Sequence, residues 1–301
     1  MRLVQKLNLP NDDVKVYMVR LDKIHPSVNG NKYFKLKYNL EEARRSGYHT
    51  LLTFGGAFSN HIAATAAAGK VYGFNTIGVI RGEDSSLTNP TLSEASKNGM
   101  QLHFITREQY RQKEFPAFAE ELRSKLGNFY LIPEGGSNAL AVKGCKEILS
   151  YIDTGFDTIC CSIGTGATLA GISCGLENHQ SAIGFSSLKG GEFLQEKVAE
   201  QILMFSGNKE SIGRVSINSN YHFGGYARTT AELIAFRNSF QAEHSIELDY
   251  IYTAKMMYGI MDLLREGYFK KGSTVVAVHT GGLQGNRGFE SRDFVSAQSP
   301  E

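Results

Sequence analysis

In Thr158-Ile-Cys-Cys-Ser-Ile-Gly-Thr-Gly-Ala-Thr-Leu-Ala-Gly171 a short apolar run breaks at glycine and hydroxyl residues and passes straight into a second apolar run. The first run, 158–161, shows no alternation of polar and apolar residues, as expected of a strand covered on both faces. The small residues that follow let backbone N–H groups approach an anion closely. No lysine follows the second glycine, as GxxxxGK[ST] requires, and Gly164, Gly166 and Gly171 do not have GxGxxG spacing. The segment therefore reads as a phosphate cup without a nucleotide signature, although a turn that serves packing alone has the same composition.

Two further segments share this form. Thr53-Phe-Gly-Gly-Ala-Phe-Ser-Asn-His61 ends an apolar run in two glycines and opens an alanine-rich helix at Ser59 and Asn60. Both residues are good helix caps, and the same helix start can offer N–H groups and polar side chains to an anion; both readings stand at this point. Val278-His-Thr-Gly-Gly282 places a hydroxyl and two glycines after another apolar run. Ligands bind at such strand ends in open α/β sheets, and a tight turn ending a strand would read the same way. Further strands are expected at 14–18, 51–54, 76–80, 102–105, 129–132, 182–186 and 274–278, and helices at 38–46, 59–69, 115–126 and 258–267. This alternation predicts an α/β fold. With 301 residues, two domains are expected. No linker rich in Pro, Gly and Ser divides the chain, so it is expected to cross between domains more than once. The polar stretch 188–214 is expected to be a surface excursion.

Composition removes several classes of function. The 32 basic and 30 acidic residues give a formal net charge of +2, without the concentrated basic face of a nucleic-acid binder. No apolar stretch approaches the ~20 residues that span a bilayer. Met1-Arg-Leu-Val-Gln-Lys-Leu-Asn8 has no signal-peptide core. A cytoplasmic protein with no membrane or nucleic-acid partner is expected. Cys145, Cys160, Cys161 and Cys174 fit no zinc spacing and are expected to be reduced core thiols, with no metal site.

Asn29-Gly-Asn-Lys-Tyr-Phe-Lys-Leu-Lys-Tyr38 enters a predicted helix, and by itself reads as a solvated basic face. Together with the three turns it resembles the pyridoxal-phosphate (PLP) enzymes of the tryptophan-synthase β-subunit fold type, fold type II. More narrowly, it resembles the family of 1-aminocyclopropane-1-carboxylate (ACC) deaminase and D-cysteine desulfhydrase. The resemblance rests on Gly30-Asn-Lys-Tyr-Phe-Lys-Leu36, Gly56-Ala-Phe-Ser-Asn-His61, Thr165-Gly-Ala-Thr-Leu-Ala-Gly171 and Tyr252-Thr-Ala-Lys255, in family order, and runs from about Val14 to Gly282. It implies two domains, each a largely parallel twisted sheet flanked by helices. A large PLP domain would comprise 1–36 and 126–301, with a small domain, 37–125, inserted in it and the active site between them. A homodimer is implied as well.

The same resemblance assigns roles. Lys32 would hold PLP as a Schiff base and later carry the Cα proton. That role requires burial or a nearby cation, because a free lysine titrates at about 10.4. Lys35 and the cup of Gly164, Thr165, Gly166, Ala167 and Thr168 would bind the phosphate, and Asn60 the cofactor's 3′-oxygen. Ser59, with Asn60 and His61, would face the substrate, Ser59 either beside its carboxylate or as a nucleophile. Tyr252 would contact the substrate over the ring. Tyr226, in Phe223-Gly-Gly-Tyr226, is paired with it on spacing alone.

The substrate turns on two positions. ACC deaminases of the family carry a glutamate after the tyrosine, paired with the pyridine nitrogen, where this chain has Thr253. D-Cysteine desulfhydrases use a neutral hydroxyl from the His-Thr-Gly-Gly turn, which matches Thr280, and His61 leans the same way. The expected reaction is α,β-elimination from a small amino acid of the D-cysteine type, releasing pyruvate, ammonia and sulfide. Deamination of ACC to 2-oxobutyrate is the alternative. A PLP-free binding module is a rival that the joint presence of Lys32, Asn60 and the cup opposes. A β-replacement enzyme is another, opposed by the 56–61 turn. Arg20-Leu-Asp22 in place of Arg-Glu-Asp, and Ala254 in place of glycine, are departures that bear on the substrate rather than the cofactor.

Overall fold

Successive residues of a strand point to opposite faces, so an uninterrupted apolar strand requires a hydrophobic layer on each side of its sheet. The computed structural model describes residues 3–10, 13–83 and 89–289. Its strands are β1 (Val4–Lys6), β2 (Lys15–Arg20), β3 (Thr50–Gly55), β4 (Asn75–Arg81), β5 (Met100–Ile105), β6 (Tyr130–Ile132), β7 (Thr158–Ile163), β8 (Ser181–Ser186), β9 (Val215–Asn218) and β10 (Thr274–His279). The chain divides into two compact units. One takes in the residues up to Lys35 and Asn138–Leu283; the other takes in Leu36–Ser137 and the residues from Gln284.

The first unit carries a six-stranded sheet of order β1-β2-β10-β7-β8-β9, parallel except where β1 runs against β2. Its strands sort their side chains with a period of two. Ile159, Cys161, Val276 and Val278 enter one core, while Cys160, Val275 and Ala277 enter the other. The first core is completed from the helices Ala139–Lys146, Ala167–Ser173 and Leu194–Ser206, and the second from Ala231–His244 and Thr253–Arg265. Helices thus cover both faces of a mostly parallel sheet. The four cysteines are free thiols; burial pushes Cys160 and Cys161 far up from the ordinary thiol range, as inert core residues require.

The second unit holds a parallel sheet of order β5-β4-β3-β6. Leu52, Phe54, Ile77 and Val79 pack on one side with Phe118 and Leu122 of the helix Pro116–Leu126. Ile80 packs on the other with Ile62 and Ala66 of the helix Asn60–Tyr72. The alanine-rich sequence of that helix buries most of its circumference, from His61 to Gly69. β6 lies past residue 125, in the unit that contains β3.

Three sequence expectations change. The stretch 188–214 is not a surface excursion: it forms the helix Leu194–Ser206, which buries Leu194, Val198 and Ile202. Their spacing of four residues is one helical stripe, set among Gln195, Glu196, Lys197, Glu200 and Gln201, which keep the average polarity high. The expected helix 38–46 begins at Asn31, so Lys32 and Lys35 stand in its first turns. The expected helix 258–267 begins at Thr253, directly after Tyr252.

Candidate active site

Lysine amines and hydroxyl-bearing turns gather where β7 and β10 end. β10 finishes at His279 and leads into Thr280-Gly281-Gly282, while β7 finishes at Ile163 and leads into Gly164-Thr165-Gly166. The helix carrying Lys32 starts against the first of these turns, where the backbone N–H of Asn31 donates to the Thr280 carbonyl at 3.2 Å. The second turn feeds the helix Ala167–Ser173, whose N-cap, Gly166 at φ 96°, provides no side-chain cap. Its left-handed φ favours glycine, and a Cβ there would also lie close, 3.1 Å from Oε1 of Gln201 and 3.2 Å from Val198.

Lys32 is partly open at its surface, but its amine is desolvated. Burial first, and the Lys35 cation second, hold that amine down at about 7, which leaves much of it as the neutral nucleophile near pH 7. Its Nζ donates to Oδ1 of Asn31 at 3.4 Å. Lys35, 2% exposed, donates to Oγ1 of Thr165 at 3.0 Å, and burial lowers its amine as well. Asn31 Nδ2 donates to the hydroxyl of the buried Thr168 at 2.9 Å. The cup therefore meets the lysine helix through two hydrogen bonds, Lys35–Thr165 and Asn31–Thr168. Beside it, Gln201 Nε2 donates to the Thr165 carbonyl at 2.9 Å.

Thr280 is 8% exposed, and its hydroxyl lies 3.1 Å from that of the buried Ser162. Below it, His279 Nε2 donates to the Glu247 carbonyl at 2.7 Å, and His279 Nδ1 accepts from Gly281 N–H at 3.2 Å. Arg20 and Asp22 pair through two hydrogen bonds of 2.9 and 2.6 Å, and an Asp22 oxygen lies 3.5 Å from His279 Nδ1. Tyr252 leans over the cup: a Cβ on Gly164 would meet its hydroxyl at 3.4 Å. The Tyr226 ring stands edge-on to Tyr252, centroids 6.1 Å apart at 63°. Thr253, the position of interest for the substrate, is fully buried. Its hydroxyl donates to Asp249 Oδ1 at 2.7 Å and accepts from Asp249 N–H at 2.8 Å.

In the second unit, the turn after β3 carries Ser59, Asn60 and His61. Ser59 Oγ accepts from the N–H groups of His61 (3.2 Å) and Ile62 (3.3 Å), so it is a genuine cap whose hydroxyl proton remains for other use. Asn60 Oδ1 accepts from Nε2 of Gln284 at 2.6 Å. His61 turns inward: it is 2% exposed and its Nε2 lies 2.8 Å from Thr53 Oγ1. Thr53 gives its one hydroxyl proton to the Ile132 carbonyl at 2.8 Å. It can only accept from His61, which fixes the neutral ring as the Nε2–H tautomer.

Lys32, Lys35, Gly164–Thr168, Thr280, Tyr252 and Tyr226 thus collect in the first unit, and Ser59, Asn60 and His61 on one helix start of the second. Sequence reading passed over Ser162, Gln201, Asp249 and Gln284. Each acts through a partner distant in sequence or through a capping geometry, and no local pattern marks it.

The donor set fits a phosphate-bearing aldehyde cofactor. A desolvated neutral amine, a second buried amine one helical turn on, and a glycine-started helix without a side-chain cap supply the aldehyde-binding and phosphate-binding groups such a cofactor needs. The profile of the family described as pyridoxal-phosphate dependent enzyme matches residues 3–281. A Pyrococcus horikoshii protein named "Putative 1-aminocyclopropane-1-carboxylate deaminase" is 30% identical over 278 residues, covering 90% of this chain and 85% of that protein. The mitochondrial bifunctional D-cysteine desulfhydrase/1-aminocyclopropane-1-carboxylate deaminase of Arabidopsis thaliana is 29% identical, covering 94% of this chain and 76% of that protein. The crystal structure of an ACC deaminase homologue superposes with a TM-score of 0.81 at 28% identity, covering 96% of this chain and 91% of the other.

Proposed function

The chain belongs to the pyridoxal-phosphate dependent enzymes, and on that premise we propose that it eliminates the β-substituent of a small amino acid of the D-cysteine type, releasing pyruvate, ammonia and sulfide. When bound, PLP withdraws electron density from the substrate's Cα and so makes the Cα proton acidic. Lys32 is the residue that would hold the cofactor and take that proton on Nζ, which its lowered basicity allows near neutrality. Lys35, Thr165 and Thr168, with the backbone of Gly164, Gly166 and Ala167, would hold the phosphate. Asn60 would donate to the 3′-oxygen, Ser59 would orient the substrate carboxylate with His61 behind it, and Tyr252 with Tyr226 would bound the substrate. The first unit is read as the cofactor domain and the second as the small domain, in a homodimeric cytoplasmic enzyme. No helix among the described residues is long and apolar enough to cross a membrane.

One observation carries the choice of substrate. Thr253 is buried and both of its hydroxyl's bonds go to Asp249, while the Ser162–Thr280 pair offers only neutral hydroxyls. No carboxylate at position 253 would keep a pyridine nitrogen protonated. A weaker electron sink suits loss of a good thiol leaving group better than opening of a cyclopropane ring. The names of the relatives keep ACC deamination as the second reading. The test is an absorbance spectrum of the purified protein followed by assays of pyruvate and sulfide from D-cysteine and of 2-oxobutyrate from ACC. Pyruvate from D-cysteine is expected. A yellow protein that makes only 2-oxobutyrate from ACC would reverse the substrate assignment.

A further inference from the structure

Lys255 is the third residue of the helix Thr253–Arg265 and lies three residues after Tyr252. It is 1% exposed. Its Nζ donates to two backbone carbonyls, His222 at 2.9 Å and Gly225 at 2.8 Å. Those carbonyls bracket a tight turn that is also closed by Gly225 N–H to the His222 carbonyl at 3.0 Å and by Gly224 N–H to His222 Nδ1 at 3.0 Å. The backbone here is costly. Phe223 (φ 49°) and Ala227 (φ 53°) both occupy the left-handed region, flanking Gly224 (φ 87°) and Gly225 (φ 113°). Non-glycine residues persist in that region only where their surroundings over-determine them. Tyr226 sits inside this loop, 44% exposed, with its ring edge-on to Tyr252.

The same helical turn holds the other tyrosine. The Asp249 carboxylate accepts the N–H groups of Ile251 (2.9 Å), Tyr252 (2.8 Å) and Thr253 (2.8 Å). Asp249 thus fixes Tyr252 from before the helix, and Lys255 reaches from inside it to the loop that carries Tyr226. We propose that Lys255 is a positioning residue: its amine clamps the strained 222–227 loop and so holds Tyr226 against Tyr252. The proposal rests on the reading that these two tyrosines bound the substrate. Burial holds the Lys255 amine down at about 8, against a smaller opposing pull from Asp249. A neutral amine still has two N–H bonds, enough for both carbonyls, so the clamp survives deprotonation.

The chain contains no tryptophan, so Tyr226→Trp creates a single fluorescent reporter at the tip of the loop. The PLP-loaded protein carrying Tyr226→Trp is compared with and without Lys255→Met by fluorescence anisotropy decay and by trypsin cleavage after the exposed Arg228. Loss of the amine should bring in a fast local depolarisation and accelerate cleavage about tenfold or more, as expected when two hydrogen bonds to a buried amine are lost. In the otherwise native chain, Lys255→Met should lower kcat/KM by a similar factor while the cofactor's absorbance is retained. A tryptophan as rigid, and an Arg228 as resistant, without the amine as with it would overturn the clamp. A loosened loop with undiminished turnover would overturn its service to the tyrosine pair. If Lys255→Met does not fold, Lys255→Gln is used, whose shorter arm cannot reach both carbonyls; loosening supports the proposal and a rigid tryptophan overturns it. Anisotropy and proteolysis need no substrate. A native enzyme that turns over neither D-cysteine nor ACC would therefore sink the functional reading separately.

Discussion

Replacing Lys35 by methionine should raise the pH at which Lys32 becomes nucleophilic. The Lys32 amine sits at about 7 against an ordinary 10.5, with burial as the larger lowering cause and the Lys35 cation as the next. Two ammonium groups one helical turn apart, at ~6 Å and an effective dielectric of ~20, repel by about 2.8 kcal/mol, or roughly two pH units. Burial lowers the Lys35 amine too, which can only weaken this repulsion, so the gain should be about two pH units at most. Methionine preserves the bulk and the burial, and leaves the leading cause in place. The assay is the rate at which apoenzyme forms its visible absorbance band with pyridoxal, followed across pH. Pyridoxal lacks the phosphate, so the hydrogen bond from Lys35 to Thr165 and any phosphate contact drop out of the comparison. The midpoint of the rate profile should move up in Lys35→Met. A midpoint that stays put would mean that burial alone sets the amine. A midpoint that falls would show that Lys35 does not act on Lys32 as a cation.

Three further outcomes can be checked. Lys32→Ala should abolish the visible cofactor band while far-UV circular dichroism stays native, and a variant that kept the band would remove Lys32 from its assigned role. Ser59→Ala loses both cap and hydroxyl and should cost about 1 kcal/mol of stability; Ser59→Asn keeps a cap but not the hydroxyl, so both should lose turnover and only the first should lose melting temperature. Full activity in Ser59→Asn would reduce Ser59 to its capping bonds with His61 and Ile62. In the apoprotein, Lys32 at about 7 and Lys255 at about 8 bind fewer protons than in the unfolded chain, where lysine titrates near 10.4. Stability should therefore climb with pH from about 7 to 10 and be lost as pH falls through that window. Melting curves of the apoprotein and of Lys32→Met test this, the variant showing the shallower climb.

The strands that the sequence made legible are those with a mostly apolar run of four or five residues, some of them closed by glycine, such as 158–161 before Gly164 and 274–278 before Gly281. β1 and β9, three and four residues long, pair at the sheet edges and have no such run. The helix Leu194–Ser206 escaped because its buried stripe is a single residue wide among charged neighbours. At the site, the lysines and the cup were legible from their motifs, but a motif does not say which way a side chain turns. His61 illustrates this: grouped by sequence with Ser59 and Asn60, it is bonded inward to Thr53. Thr53 lies eight residues earlier, and the pairing follows from the strand-turn-helix path rather than from any residue pattern. Gln284, which fixes Asn60, lies 224 residues from it, a separation beyond the reach of any local signal.

The lysine helix and the turn after β10 are distant in sequence, yet each is shaped by the other. Gly30 has φ 66°, and a Cβ there would stand 2.0 Å from the Thr280 carbonyl oxygen; Gly281 has φ 76°, and a Cβ there would stand 2.9 Å from Gly30 Cα and from Asn29 Oδ1. Two backbones therefore touch where neither can bear a side chain. That contact lets Asn31 N–H reach the Thr280 carbonyl and sets the helix start one residue before Lys32. It also turns Thr280 so that its hydroxyl meets Ser162. The register of β10 against β7, Val275 opposite Thr158 through Val278 opposite Cys161, then fixes the height of the cup relative to Thr280. Lys32, the cup and the Thr280 hydroxyl are in this way placed by one strand pair and one glycine contact. A substitution at Gly30 would disturb all three together, although only Lys32 shares its motif.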